Sequence, residues 1–202
     1  MKLYHAAASP FVRKVMMVLH ETGQLEDVEI VPAMGTAVEP GTMPVAHNPL
    51  GKIPALERAD GPALYDSRVI CRYLDARAGG HLYPEGNALW EVLTLEATAD
   101  GIMEAAIAMV YEARIRPPEL VYAPWVEGQW TKAARAVEAL NSRWMGHLAG
   151  PLHMGQIAVA AALGYLDFRH DARNWRRGNE ALADWFAQFS ERESFRATAP
   201  EG

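Results

Sequence analysis

The hydrophobic pattern of this chain changes character once, near residue 80, and that change limits what it can fold into. Before it, apolar residues come in short runs broken by turn signals. After it, they recur at helical spacing to the end of the chain. Lys2–His5 reads as a strand. Ser9-Pro10 then opens a helix: Ser is a favoured N-cap, and Pro at the first helical position gives up only an N–H that would be unpaired anyway. Val12, Val15, Met16 and Leu19 share one face of that helix, and Gly23 marks its stop. Val28–Val31 reads as a second strand, and residues 32–51, rich in Pro, Gly and polar side chains, as a long loop. Ile53–Leu56 reads as a third strand in spite of Pro54 inside it. Ala63–Tyr65 follows the Asp60-Gly61 turn signal as a fourth. Asp66-Ser67 caps a helix carrying Val69, Ile70, Tyr73 and Leu74. The order β-α-β, loop, β-β-α implies an α/β sheet.

Gly79-Gly80 closes this unit, and His81–Asn87, with Pro84 and Gly86, reads as a linker. From Ala88 onward the spacing predicts four helices and no strands. The first, long, helix carries Leu95, Ile102, Met103, Ala106, Met109 and Val110 and ends at Pro117-Pro118. The others run roughly over 125–148, 155–170 and 179–190. The expected division is therefore an α/β domain over 1–80, a linker over 81–87 and an all-α domain over 88–202.

Half of the 202 residues are hydrophobic and 22% are charged, which supplies a packed core and excludes disorder as the main state. Nineteen basic against 25 acidic residues leave a net charge of −6, against a dedicated nucleic-acid binder. The charge is uneven: 8 basic and 9 acidic side chains through residue 78, then 11 and 16. The α/β half thus repels an anionic ligand least. The single cysteine, Cys71, rules out an internal disulfide framework and a cysteine-based zinc site, fits a reducing compartment, and reads as a structural thiol. The seven histidines show no metal-binding spacing, and no Gly-rich nucleotide loop is present, so no metal is expected. Arg13 and Lys14 stand where a signal peptide would be apolar. The longest apolar run, Ile157–Leu166, falls short of the ~20 residues a membrane span needs. A cytoplasmic protein without a membrane partner is expected. Arg173, Arg176 and Arg177 read as a solvated basic face.

Three places carry chemistry. Ser9 lies at a strand-to-helix junction, where unpaired N–H groups and the helix dipole favour an anion and would stabilise a thiolate; it also serves as a plain N-cap. In Asn48-Pro49-Leu50-Gly51-Lys52-Ile53-Pro54, a proline that cannot donate to the ladder fits an edge or a cis bend, leaving the preceding backbone groups to bind a peptide as an added strand. Lys52 beside it suits a carboxylate; the plain alternative is a turn and an edge strand. Asp66-Ser67 suits an amino-acid head group, the hydroxyl and amide facing its carboxylate and the aspartate its ammonium, or is an ordinary capping pair. Met103, Ile107 and Tyr111 in the helical half are core or pocket residues.

Taken in order, Ser9-Pro10-Phe11-Val12-Arg13-Lys14-Val15, Asn48–Pro54 and Asp66-Ser67-Arg68-Val69-Ile70 resemble the glutathione S-transferase family over nearly the whole chain. Ala99-Asp100-Gly101-Ile102-Met103, Gly164-Tyr165-Leu166-Asp167-Phe168-Arg169 and Arg192-Glu193-Ser194-Phe195 are similar to its YibF-like bacterial branch. The resemblance implies a thioredoxin-like N-terminal domain, an all-α C-terminal domain, a homodimer and a detoxifying transferase. It implies Ser9 beside the glutathione sulfur, Phe11 nearby, Ile53 holding the cysteinyl part through its backbone before a cis Pro54, Lys52 near the glycine carboxylate, and Asp66 and Ser67 at the γ-glutamyl end. Glutathione is then a co-substrate, its thiolate attacking a small electrophile near Met103, Ile107 and Tyr111. A thiol of pKa ~8.5 is mostly protonated at neutral pH, and lowering it by two units takes ~2.7 kcal/mol of differential stabilisation. Two other activities share these residues: a glutathione-dependent disulfide or peroxide reductase, and a non-catalytic glutathione-binding module. Two departures from the family pattern stand out. His153 occupies a helix start where a hydroxyl cap is usual, which predicts a weaker start, although Gln156 can complete a capping box. Ala6-Ala7-Ala8 leaves Ser9 alone to carry the sulfur chemistry.

Overall fold

The computed structural model describes residues 1–200. The chain forms two compact units, one from Met1–Gly86 with the segment beginning at Glu193, the other from Asn87–Arg192. The second unit starts at Asn87, and the segment expected as a linker, through Gly86, groups with the α/β unit. The end of the chain, expected in the helical domain, groups instead with the α/β unit.

In the α/β unit, β1 (Lys2–His5) leads into α1 (Pro10–Glu21) and β2 (Glu29–Pro32). After the loop come β3 (Ala55–Arg58), β4 (Gly61–Leu64) and α2 (Ser67–Arg77). The sheet order is β2-β1-β3-β4, with β1 parallel to β2 and antiparallel to β3, and β4 antiparallel to β3. Leu3 and Leu56 face each other in register, and both are fully buried. β3 starts two residues later than the expected Ile53, because Pro54 brings no N–H to the ladder and the chain joins β1 only at Ala55. The buried face of α1 includes Val12, Val15, Met17, Val18 and Leu19, while Met16, expected on it, is only half-buried. Asp75 of α2 is buried and accepts the N–H groups of His81, Leu82 and Tyr83 at 2.8, 2.9 and 3.3 Å. The start of the expected linker is thus pinned to α2.

The last helix, α8 (Glu193–Ala197), has no counterpart among the four expected helices; it packs on α1. Arg13 explains the attachment. It is 5% exposed; its guanidinium lies 3.8 Å over the Phe195 ring and donates to the Phe195 carbonyl at 2.9 Å. Ser194 Oγ meets Glu21 Oε1 at 2.5 Å on the same helix.

The other unit contains α3 (Ala88–Ile115), α4 (Ala123–Arg143), α5 (Met145–Leu148), α6 (Met154–His170) and α7 (Glu180–Phe189). The predicted helix over 125–148 is two, separated at Trp144. The ten-residue apolar run lies in α6, which is buried from Met154 through Leu166 and packs on α3; a helix apolar all round belongs inside a core. Gly155 permits the approach, since a Cβ there would stand 2.8 Å from Leu95 Cβ. No described helix is long and apolar enough to cross a membrane. The expected solvated arginine face is corrected at two positions: Arg173 makes two hydrogen bonds to Glu127 at 2.6 and 2.8 Å, and Arg176 grips Asp167 at 2.6 and 2.7 Å.

The start of α6 also differs from expectation. His153 Nδ1 accepts the Gln156 N–H at 3.3 Å, and Gln156 Oε1 accepts the His153 N–H at 2.9 Å, so the capping box is complete. His153 Nε2 lies 3.2 Å from the His147 carbonyl, which places the ring proton there and leaves Nδ1 as acceptor. The Gln156 amide donates to Leu148 and Gly150 carbonyls at 2.7 and 3.1 Å.

Two predictions follow from this packing. Burial lowers the pKa of His153, and likewise of His5 and His170. The unfolded chain therefore binds protons more readily, and stability is full above ~6.5 and declines as pH falls below it. Urea unfolding from pH 7.5 to 5 is expected to show this loss, and His153→Asn, which keeps an acceptor at every pH, to lessen it; an equal loss in the variant refutes the cap's part. Arg13→Ala removes the ring contact and a buried charged hydrogen bond, at a cost of about 2 kcal/mol. Urea unfolding measures it, and a change under about 0.5 kcal/mol contradicts the docking role.

Candidate active site

The sheet register brings the candidate positions to one end of the α/β unit. Since β1 and β3 are antiparallel with Tyr4 opposite Ala55, the end of β1 lies beside the start of β3. Leu64 pairs with Leu56, so β4 ends there too. The turn to Ser9, the Ile53-Pro54 entry and the Asp66-Ser67 start of α2 thus leave the sheet at the same edge.

Ser9 caps α1 with φ −86° and ψ 120°, extended as a cap requires. Its Oγ accepts the Val12 N–H at 3.3 Å, and its carbonyl accepts the Arg13 N–H at 3.0 Å. Capping uses the hydroxyl as an acceptor only. The hydroxyl proton remains able to donate to an anion at the helix N-terminus, so capping and anion binding are compatible. Phe11, the next residue after Pro10, is half-buried.

The second position is shaped by Asn48, a residue that the sequence reading quoted without giving it a role. It is 2% exposed; its Nδ2 donates to the Lys52 carbonyl at 2.8 Å and its Oδ1 accepts the Leu50 N–H at 3.1 Å. The signal was present, because Asn before Pro is a turn former that bonds its own following backbone. His47 holds the preceding residue to the sheet, its Nε2 3.4 Å from Glu57 of β3 and its ring stacked on Tyr4 at 5.5 Å. Lys52 is exposed. The Ile53-Pro54 peptide is cis, and Pro54 is buried. Ile53 precedes the strand, and its backbone makes no hydrogen bond among the described residues.

At the third position the Tyr65-Asp66 peptide is also cis. Asp66 caps α2, its Oδ1 accepting the Arg68 N–H at 3.1 Å, and its Oδ2 pairs with the Arg68 guanidinium at 2.8 Å. Partial burial pushes the Asp66 carboxyl up, but the hydrogen bonds and charge of Arg68 and the charge of Lys14 outweigh it and hold it below the usual carboxylate range. Arg68 is a second residue to which the sequence reading gave no role. Ser67 is 2% exposed, and its hydroxyl makes no hydrogen bond among the described residues. This edge therefore presents a hydroxyl at a helix N-terminus, the Ile53 backbone with no partner among the described residues, and an ionised carboxylate beside a hydroxyl.

In the helical unit, Met103, Ile107 and Tyr111 form one stripe along α3 at four-residue spacing. Met103 has no exposed surface, which corrects its expected place in a pocket wall: it is core. Ile107 is half-buried and Tyr111 is 37% exposed. Cys71 is buried in α2. Among the described residues no group of three or more His, Cys, Asp or Glu side chains is arranged to hold a metal ion.

Comparison with known proteins matches the glutathione S-transferase N-terminal domain over residues 3–82 and the C-terminal domain over 123–188. The chain is 32% identical to the uncharacterized GST-like protein YibF of Escherichia coli, covering 99% of this chain and 98% of that one. It is similar in structure to a glutathione transferase family member from Pseudomonas fluorescens Pf-5 with bound glutathione, at 46% identity and a TM-score of 0.96, covering 100% and 99% of the two chains. A second structure from Pseudomonas fluorescens Pf-5, with bound S-(propanoic acid)-glutathione, matches at 46% identity and a TM-score of 0.91, covering 100% of both chains. With a four-stranded mixed sheet, a helical second unit and full-length relatives, this chain belongs to the glutathione S-transferase family.

Proposed function

We propose that the chain binds glutathione at this edge of the α/β unit and activates its thiol for attack on an electrophilic small molecule. The observation that carries this is the Ser9 hydroxyl, which caps α1 through its oxygen and keeps a proton to donate. Accepting the Val12 amide polarises the hydroxyl and makes it a better donor. With the Phe11 N–H, the one amide at the head of α1 that no described residue takes up, and with the helix dipole, it favours a thiolate over a thiol of pKa ~8.5.

Ile53 offers its backbone to the cysteinyl residue of glutathione as a short added strand. Lys52 faces the glycine carboxylate, and Asp66 with Ser67 receives the γ-glutamyl head, the ionised aspartate taking the ammonium. Asn48 acts through Lys52 and Ile53 by fixing the turn that presents them. Phe11, Ile107 and Tyr111 serve the electrophile. Glutathione bound to the similar Pseudomonas protein supports the same ligand here. The homodimer is proposed as well, supported by the exposed apolar Val45, Leu50 and Val69 of the α/β unit; sedimentation is then expected to give twice the 22.3 kDa chain mass. We assign the activity to the reducing cytoplasm, where glutathione is the thiol buffer.

The test is the ultraviolet titration of the thiol of bound glutathione in the wild type and in Ser9→Ala. Loss of the hydroxyl is expected to raise that pKa by about one unit, a tenfold change in thiolate stability. An unchanged pKa with glutathione bound would falsify the role of Ser9. Turnover of an aryl halide beside a disulfide distinguishes transferase from reductase, and binding without either identifies a non-catalytic module.

A further inference from the structure

The segment between β2 and β3 delivers Asn48, Lys52 and Ile53 to the candidate site, yet little ties it to the sheet. Residues 34–52 form no helix or strand, and only Pro44 and Asn48 among them are buried. Their backbone hydrogen bonds stay within the segment: Thr42 donates to Met34, Met43 to Pro40, His47 and Asn48 to Pro44, and Gly51 to Asn48. The side-chain hydrogen bonds of Thr36, Thr42 and Asn48 are local as well. These bonds fix the shape of the loop and leave its place on the sheet to other contacts.

Among the described residues, one polar contact runs from this loop to the sheet: His47 Nε2 stands 3.4 Å from Glu57 Oε1 of β3. Glu57 is held from the other side, since the same oxygen accepts the Tyr4 hydroxyl of β1 at 2.6 Å. That hydrogen bond, followed by burial and the charges of Glu57 and Glu29, raises the Tyr4 pKa, so the phenol stays a donor. Lys2, opposite Glu57 in register, lies 4.0 Å from Glu29 instead. The Tyr4 and His47 rings stack, 5.5 Å apart and inclined by 29°. A protonated imidazole pairs with the carboxylate, and a neutral one keeps the ring contact. His47 directly precedes Asn48, whose amide holds the Lys52 carbonyl next to Ile53. A line of contacts thus runs from the sheet through Glu57, His47 and Asn48 to Lys52.

We propose that His47 is a positioning residue for glutathione: by meeting Glu57 and stacking on Tyr4 it seats the loop on the sheet, so that Lys52 and the Ile53 backbone are in place before the tripeptide arrives. The role rests on the glutathione reading of this edge and does not require His47 to touch the ligand. A loop that leaves its seat presents those groups only part of the time, and affinity falls by that fraction. A stacked ring pair and a partly exposed charged pair are each modest contacts; losing both predicts binding weaker by about fivefold.

Calorimetric titration with reduced glutathione tests this in the wild type, His47→Ala, Glu57→Ala, the double variant and Val38→Ala. Both single variants at the contact are expected to raise Kd by about fivefold with stoichiometry kept at one, whereas a preparation that is merely misfolded in part loses sites and keeps Kd. Glu57→Ala carries the same expectation should His47→Ala fail to fold. The double variant is expected to bind no more weakly than the weaker single one, because both act through one contact. Val38→Ala, in the same loop at a position 71% exposed, is expected to keep the wild-type Kd. With an aryl halide as co-substrate, KM for glutathione is expected to rise in His47→Ala while kcat at saturating glutathione stays. Unchanged Kd in both single variants overturns the positioning role and leaves the glutathione reading intact. Additive losses in the double variant, or an equal loss in Val38→Ala, also overturn it. Wild-type binding without turnover removes the transferase reading and leaves the role supported by the Kd series. A wild type that takes up no glutathione at millimolar concentration removes the glutathione reading, and the role with it.

Discussion

An N-terminal helix that starts on a hydroxyl is the constraint from which the rest of this protein follows. Ser9 ends the turn after β1, accepts a backbone amide of α1, and leaves one proton with no place inside the helix. The helix head needs negative charge, and a thiol needs a reason to ionise; one site meets both needs. The flanking Ala6-Ala7-Ala8 supplies no other polar side chain. The chemistry thus rests on one oxygen and on the Phe11 amide, which no described residue takes up.

Placing that hydroxyl takes contacts far apart in the chain. Arg13, one turn beyond Ser9, is covered by Phe195 and bonded to its carbonyl, so the end of the chain braces the helix that carries the site. Asn48 fixes the turn before Pro54 through two backbone partners, and Asp75 gathers three amides at the close of the α/β unit. In each case a buried polar side chain is matched by hydrogen bonds, the condition under which burying it is tolerable.

Much of this was legible from local pattern. Ser9-Pro10 and Asp66-Ser67 mark the two helix starts because capping is decided within four residues, and the structure has both residues 9 and 66 as caps. Pro54 marked an irregular strand, and the ladder indeed begins after it, two residues beyond the expected start. What sequence alone did not show is long-range. Nothing in the spacing of Glu193-Ser194-Phe195 says that it returns to α1, and nothing near Met103 says that packing leaves it without exposed surface. His153 was misjudged for a local reason: imidazole is rarely a cap, yet with its proton on Nε2 the ring presents an acceptor in the right place. The expected solvated arginines at 173 and 176 failed because their carboxylate partners lie 46 and 9 residues away.

The two units divide the chemistry by charge. The α/β unit brings helix N-termini and an ionised Asp66, groups that suit a zwitterionic peptide; the chain after residue 78 carries most of the net negative charge. Heteronuclear NMR of the labelled wild-type chain during titration with reduced glutathione tests the central assignment most directly. Saturable shifts centred on the amides of residues 9, 11, 12, 53 and 66–68, at one glutathione per chain, are the result this account predicts. Amides there that stay unmoved at millimolar glutathione, or shifts centred elsewhere, contradict it.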